Sequence, residues 1–305
     1  MPTSPPKMRP DELDIDAELV RRLIARRFPE WAGLEVRFVR SAGTDNAMYR
    51  LGDELVVRLP RLRDGEGQVQ REYRWLPRLA PELPLSVPVP VAVGAPGGGY
   101  PLVWGVYEWL EGANAHDTPL AQPAEAALQL GRFLAALRQA DASDAPTSYR
   151  GSPPGHNDDY VRGAIRDLGS DGTIDPVLAT EVWERTLGLP GWDRAPVWLH
   201  GDLLPGNLLT VDGRLTSVID FGCLGVGDPA ADLMAAWTVF GAETREAFRG
   251  AADIDDATWE RGRGWALCFG LMADHYYGDA FGNGMNPVLA GVGRRAVAEV
   301  LAECG

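Results

Sequence analysis

The sequence predicts an α+β fold in two parts, a small β-rich lobe and then a larger, mainly helical lobe. Three observations predict it. Residues 30–110 read mostly as strands with one helix among them, the pattern turns helical after residue 112, and the polar stretch "HGDLLPGN" at 200–207 opens a hairpin inside the helical part. The division that follows is a loose tail over 1–12, an N-terminal lobe over 13–110 and a C-terminal lobe over 111–305. Two lobes joined by one strand would leave a cleft, a usual place for a ligand.

Each element has its own signal. The first ten residues hold Pro2, Pro5, Pro6 and Pro10 and no apolar h-region, which reads as loose chain and not as a secretory signal. Residues 14–28 place Ile15, Leu19, Leu23 and Ile24 at helical spacing. Val36 and Phe38 alternate with charged residues, and "AMYRL" and "ELVVRL" flank Gly52-Asp53, a two-residue hairpin signal. Residues 66–80 read as a helix interrupted at Pro77. Extended structure returns at "SVPVPVAVG", followed by a glycine turn at 97–99 and a last strand over roughly 102–110. "PAEAALQLGRFLAALRQA" is an amphipathic helix, and residues 141–159 are a loop rich in proline, serine and glycine. Helix resumes to about 187, and again from "DPAADLMAAWTVF" to the end, with no internal repeat.

Composition excludes several classes of partner. A formal net charge of −14 argues against nucleic acid, whose phosphates want a basic face, and would draw a cationic small molecule. The three cysteines, Cys223, Cys268 and Cys304, form no CxxC pair, so neither a zinc knuckle nor a disulfide framework is expected. No apolar run reaches the ~18 residues of a membrane span. These features together predict a cytoplasmic protein with reduced thiols and no membrane partner.

The polar stretch carries the chemistry. Asp212-Gly213 between "NLLTV" and "RLTSVID" signals a second hairpin. With those two residues as the turn, Asn207 lies opposite Val218, and Asp220 stands two residues further on, about 7 Å along the strand. An amide oxygen and a carboxylate at one end of a strand pair are hard ligands suited to Mg²⁺. Asp202 sits five residues before Asn207, in a loop tightened by Pro205 and Gly206. Two metal ligands and a spare carboxylate are what phosphoryl transfer requires: metal for the nucleotide phosphates, and a carboxylate for the proton of the attacking hydroxyl.

"HGDLLPGNLL…VIDFG…GDPAADL" resembles the aminoglycoside phosphotransferase family, within the protein-kinase-like fold, over nearly the whole chain from about residue 30. The resemblance implies Asp202 as catalytic base, Asn207 and Asp220 as Mg²⁺ ligands, and a supporting role for His200 and Asp232 in holding the catalytic loop. Asp228-Pro229 is itself a helix start, with Asp232 one turn later, where it can point back toward that loop.

A kinase-like site also needs a phosphate cradle and a cation. "SAGTDNAMYRL" is the candidate cradle, with Ser41, Gly43, Thr44 and Asn46 as nucleotide-binding residues. The Gly52-Asp53 hairpin places Arg58 opposite Ala47, where the kinase pattern has a lysine; the alternative is a surface Arg58 in a register shifted by one or two residues. Arginine keeps the charge with a different geometry. Its partner is Glu72, with Glu66 nearer the helix start. "WGVYEWLEG" resembles the connecting strand, whose backbone around Glu108, Trp109 and Leu110 would meet a purine base, of ATP or GTP alike. The acceptor would approach from the helical lobe, where Asp158, Asp159, Trp265, Asp274, His275, Tyr276 and Tyr277 form an acidic and aromatic candidate lining. The expected activity is ATP- or GTP-dependent transfer of phosphate to a hydroxyl of a small molecule. An aminoglycoside is the first expectation, as in a resistance kinase. A macrolide or choline-like alcohol kinase is the alternative within the enzyme class, and a nucleotide-binding pseudokinase is the alternative outside it.

Overall fold

The first helix, α1 (Ala17–Arg27), starts where Asp16 can cap it: the carboxylate accepts the Leu19 N–H at 2.7 Å. Ile15 and Val20, at the two staple positions around that cap, are both buried. The computed structural model describes residues 7, 11–40, 43, 45–63, 67–279, 281–282 and 284–305. The chain forms two compact units, Met1–Pro81 with Ser86–Glu111, and Glu82–Leu85 with Gly112–Gly305.

In the first unit, β1 (Val36–Val39), β2 (Asn46–Leu51), β3 (Leu55–Pro60), β4 (Pro90–Gly94) and β5 (Trp104–Glu108) form one antiparallel sheet in the order β1-β2-β3-β5-β4. The buried face of α1 (Leu19, Val20, Leu23, Ile24) joins one core with Tyr49, Leu51, Val57, Leu59, Trp104 and Val106. The second helix, α2 (Gln68–Leu79), packs on β4 and runs through Pro77 without a break. Proline's fixed φ is compatible with helix, and near the C-terminal end it removes only one backbone bond. The β2–β3 register also corrects the expectation. Its turn takes three residues, Gly52–Glu54, so Arg58 pairs with Met48 and Ala47 with Leu59. Glu12, assigned above to a loose tail, is buried and ion-paired to Arg61 at 3.2 Å.

The second unit is mainly helical: α3 (Pro123–Gln139), α4 (Asp158–Ser170), α5 (Pro176–Leu187), α6 (Ala235–Thr238), α7 (Ala242–Ala252), α8 (Asp256–Tyr277) and α9 (Pro287–Cys304). The long α8 packs against α4, α5 and α9, and α3 packs against α7. Two small sheets lie among them. One is β6 (Ala113–Asn114), β8 (Leu208–Val211) and β9 (Arg214–Val218); the other pairs β7 (Val197–Leu199) with β10 (Gly225–Gly227). Asp212 and Gly213 both have positive φ, 52° and 72°, as a tight two-residue hairpin turn demands. The register, however, slips by one. Thr210 pairs with Leu215 but Leu209 pairs with Ser217, so Thr216 is an extra residue in β9 and Val218 faces Leu208, not Asn207. Among the described residues no helix is long and apolar enough to cross a membrane.

Candidate active site

The bulge in β9 brings the two ends of the hairpin closer than the sequence alone suggests. Ile219 N–H donates to the Asn207 carbonyl at 2.9 Å, so Asp220 stands one residue beyond Asn207's partner. Asp220 itself has left-handed backbone, φ 63° and ψ 71°. That conformation costs a non-glycine residue on the order of 1 kcal/mol and collects at functional sites. The Asn207 amide is oriented as well: Nδ2 donates to the Asp202 carbonyl at 2.8 Å and to its carboxylate at 3.0 Å, which turns Oδ1 the other way.

Three consecutive backbone N–H groups of the loop are held by side chains. His200 and Gly201 donate to the two oxygens of Asp232, at 2.8 and 2.6 Å, and Asp202 donates to His200 Nδ1 at 3.1 Å. His200 Nε2 faces the Ile219 carbonyl at 3.0 Å. Nδ1 can accept and Nε2 donate only in the neutral Nε2–H tautomer. Burial accordingly pushes the His200 imidazole down to about 4, although the Ile219 carbonyl and Asp220 favour its charge. Burial also raises the Asp232 carboxyl to about 6, against the pull of the two N–H groups and of Arg138. The His200 ring meets Phe221 edge-on at 4.6 Å, and Leu203 and Leu204 bury the loop's apolar side. Gly201 has φ 83°, and a Cβ there would come within 2.8 Å of Cys223 Cβ, so glycine is required.

In the first unit Arg58 is buried, not a surface residue, and its Nη1 donates to both Glu72 oxygens at 3.1 and 3.0 Å. Tyr107 donates to the same carboxylate at 2.5 Å, Gln68 at 3.4 Å, and the guanidinium lies 5.1 Å from the Tyr107 ring centre. Nothing local in the sequence marks Tyr107 or Gln68 for this role. Asn46 is buried with neither amide atom hydrogen-bonded. Gly43 is described, while Ser41, Thr44 and Glu66 lie outside the described residues. Along the connecting strand, the Glu108 N–H is taken by Val89 O at 3.1 Å and that of Trp109 by Glu54 O at 2.7 Å. The Leu110 N–H is thus the remaining amide of the three.

The expected acceptor lining is largely engaged elsewhere. Asp158 accepts from Trp183 Nε1 at 2.7 Å and pairs with Arg162 at 2.8 Å, which hold its carboxyl below the usual range. Asp274 pairs with Arg294 at 2.7 Å. His275 lies between Tyr160, at 3.2 Å, and Asp167, at 2.9 Å. Trp265 is buried, Asp159 and Tyr276 are exposed, and Tyr276 packs edge-on against Tyr277. None of the first six candidates hydrogen-bonds to residues 200–207. Asp228, read only as a helix start, caps that helix at Ala230 N–H and forms a buried two-point pair with Arg261 at 2.7 and 3.1 Å.

Asn207 Oδ1 and the Asp220 carboxylate are hard oxygen donors on one hairpin end, and they fit Mg²⁺. Among the described residues no group of three or more His, Cys, Asp or Glu could hold a metal. A two-ligand site suits Mg²⁺, which takes one or two protein oxygens and completes its shell with water and substrate phosphates.

This α+β architecture is that of a kinase-like fold. A family model described as the phosphotransferase enzyme family (APH) matches residues 36–265, and the chain belongs to that family. No curated protein matches the sequence. Among solved structures, the GDP and kanamycin complex of APH(2")-IIia aligns with a TM-score of 0.70 at 20% identity, over 92% of this chain and 97% of that one. The GDP complex of wild-type aminoglycoside 2'-phosphotransferase-IIIa aligns at 0.69 and 18%, over 95% and 99%. Macrolide 2'-phosphotransferase MphH from Brachybacterium faecium aligns at 0.61 and 24%, over 90% and 97%. These likenesses establish the fold.

Proposed function

We propose that the protein transfers the terminal phosphoryl group of ATP or GTP to a hydroxyl of a small molecule, with Asp202 as the base. The observation that carries this reading is the Asp202 loop: three of its N–H groups are held by Asp232 and His200, and its carboxylate is held by Asn207 beside a left-handed Asp220. Such pre-organisation places a carboxylate to take the acceptor's proton without rearranging. Mg²⁺ on Asn207 Oδ1 and Asp220 would neutralise phosphate charge. Arg58, anchored by Glu72, supplies the fixed cation for the phosphates, and Asn46 supplies an unpaired buried amide. The first unit carries the nucleotide contacts, with the Leu110 N–H as donor to the base, and the second carries the base and metal ligands.

An aminoglycoside is the first acceptor to test, supported by the acidic charge of the chain and by the kanamycin named in the APH(2")-IIia complex. A macrolide is the second. The pairing of Asp158 and Asp274 with arginines removes two of the carboxylates a polycation would use, and a macrolide phosphotransferase is among the structural matches. The test incubates the protein with Mg²⁺, both nucleotides and a mixture of aminoglycosides, macrolides and simple amino alcohols. A gain of one phosphate on an acceptor, read by mass, supports the reading. Nucleotide binding with no phosphorylated product from any hydroxyl compound would favour a pseudokinase.

A further inference from the structure

The loop over 146–151 carries no motif in the sequence, yet it is zipped along the segment that follows Asp220. Val226 N–H donates to Pro146 O at 2.8 Å, Ser148 N–H to Val226 O at 3.0 Å, and Asp228 N–H to Gly151 O at 3.1 Å. Ser148 Oγ donates to Cys223 O at 2.7 Å and accepts the Arg150 N–H at 3.1 Å, and the Tyr149 hydroxyl meets Cys223 Sγ at 2.8 Å. Gly151 packs so closely on Gly227 that a Cβ there would lie 2.7 Å from its Cα. The backbone of Arg150 is therefore fixed beside the base. A Cβ on Gly201 would stand 3.1 and 3.2 Å from Arg150 Cβ and Cγ.

The guanidinium of Arg150 lies 5.4 Å from the Tyr149 ring centre and is engaged by the Tyr149 side chain, not by a carboxylate. It forms no ion pair with a described carboxylate, and its Nε is buried with no hydrogen bond. Burial opposes its charge, and the nearby Asp202 carboxylate, with Tyr149 and Cys223, more than offsets that and raises its pKa. A cation kept only to fix Asp202 would close on it. Arg150 forms no ion pair with Asp202, and its charge acts on the base through space.

We propose that Arg150 is a further catalytic residue, whose guanidinium touches an oxygen of the phosphoryl group as it passes to the acceptor at Asp202. The proposal rests on the phosphotransfer reading above. In the step, the acceptor oxygen bonds to phosphorus, the bond from phosphorus to the bridging oxygen of the nucleoside triphosphate breaks, the hydroxyl proton goes to Asp202, and the nucleoside diphosphate leaves. Negative charge spreads over the three equatorial oxygens in the transition state, where an arginine is worth about 10³-fold or more in rate.

The experiment measures, with Mg²⁺ present, the affinity of wild type, Arg150→Ala and Arg150→Gln for ADP or GDP, alone and with fluoroaluminate as a mimic of the phosphoryl group in flight. The proposal predicts that wild type binds the fluoroaluminate complex much more tightly than the diphosphate alone. Both variants should lose that increment while keeping diphosphate affinity within about twofold, and guanidinium ion should restore part of it to Arg150→Ala. Melting curves confirm that the variants fold, and Arg150→Gln, nearly isosteric, stands in if the alanine variant does not. A variant that folds and keeps the increment overturns the role of Arg150. A wild type that binds neither diphosphate overturns the phosphotransfer reading itself, and this inference with it.

Discussion

The polar clusters around Arg58 and around Asp202 are built on opposite plans. Around Arg58, side chains neutralise side chains: Glu72 from α2 pairs with the buried guanidinium, and Tyr107 and Gln68 donate to that same carboxylate. Around Asp202, side chains neutralise backbone: Asp232 and His200 accept three successive N–H groups and thereby shape a loop. The first plan tolerates replacement of the whole cluster by apolar groups, at least for folding. The second does not, because the N–H groups stay when the side chains go.

The largest stability effect should come from splitting the first cluster. Glu72→Ala removes the carboxylate paired with the buried Arg58, at a cost of about 3–5 kcal/mol in denaturant unfolding, and the double change Arg58→Met with Glu72→Leu should recover most of it. A single variant as stable as wild type would contradict the burial of this pair. In the second cluster, Asp232→Ala orphans two buried N–H groups, at about 1–3 kcal/mol each, and no apolar partner substitution should rescue it.

A pH series sharpens the contrast. His200 has a folded pKa near 4, below its ordinary 6.5, so its neutral form stabilises the fold fully above pH 6.5, and that contribution is lost as pH falls toward 4. Asp232, raised to about 6, works in the opposite sense over nearly the same window, so wild type alone conceals both. The stability difference between wild type and His200→Asn isolates the histidine. It should shrink by roughly 2–3 kcal/mol between pH 7 and pH 4, and a pH-independent difference would remove the neutral tautomer from the account. The smallest effect is chemical: burial pushes the Cys223 and Cys268 thiols up to about 12, so iodoacetamide at pH 8 should label them only as the protein unfolds, which peptide mass mapping can follow.

The same contrast explains what the sequence made legible. The closeness of Asp202, Asn207 and Asp220 is legible because a dipeptide turn folds one segment on the other, and the Arg58–Glu72 pair because a strand and the next helix are close in sequence. Both hairpin registers were off by one residue. The Gly52–Glu54 turn takes a third residue and β9 takes a bulge at Thr216, and neither feature is set by the turn dipeptide itself. The contacts of Arg150, Tyr107 and the Asp228–Arg261 pair span dozens of residues, and no local periodicity encodes which distant backbone a loop will pair with.

The central claim is that Asp202 acts on the acceptor's proton while Asp220 acts through Mg²⁺. It is tested most directly by titrating Mg²⁺-dependent nucleotide affinity in Asp202→Ala and Asp220→Ala beside the rate of phosphate transfer. The account predicts that both variants lose transfer by more than about 10³-fold, that Asp202→Ala keeps wild-type nucleotide affinity, and that only Asp220→Ala loses its dependence on Mg²⁺. Wild-type transfer by a folded Asp202→Ala protein would contradict it.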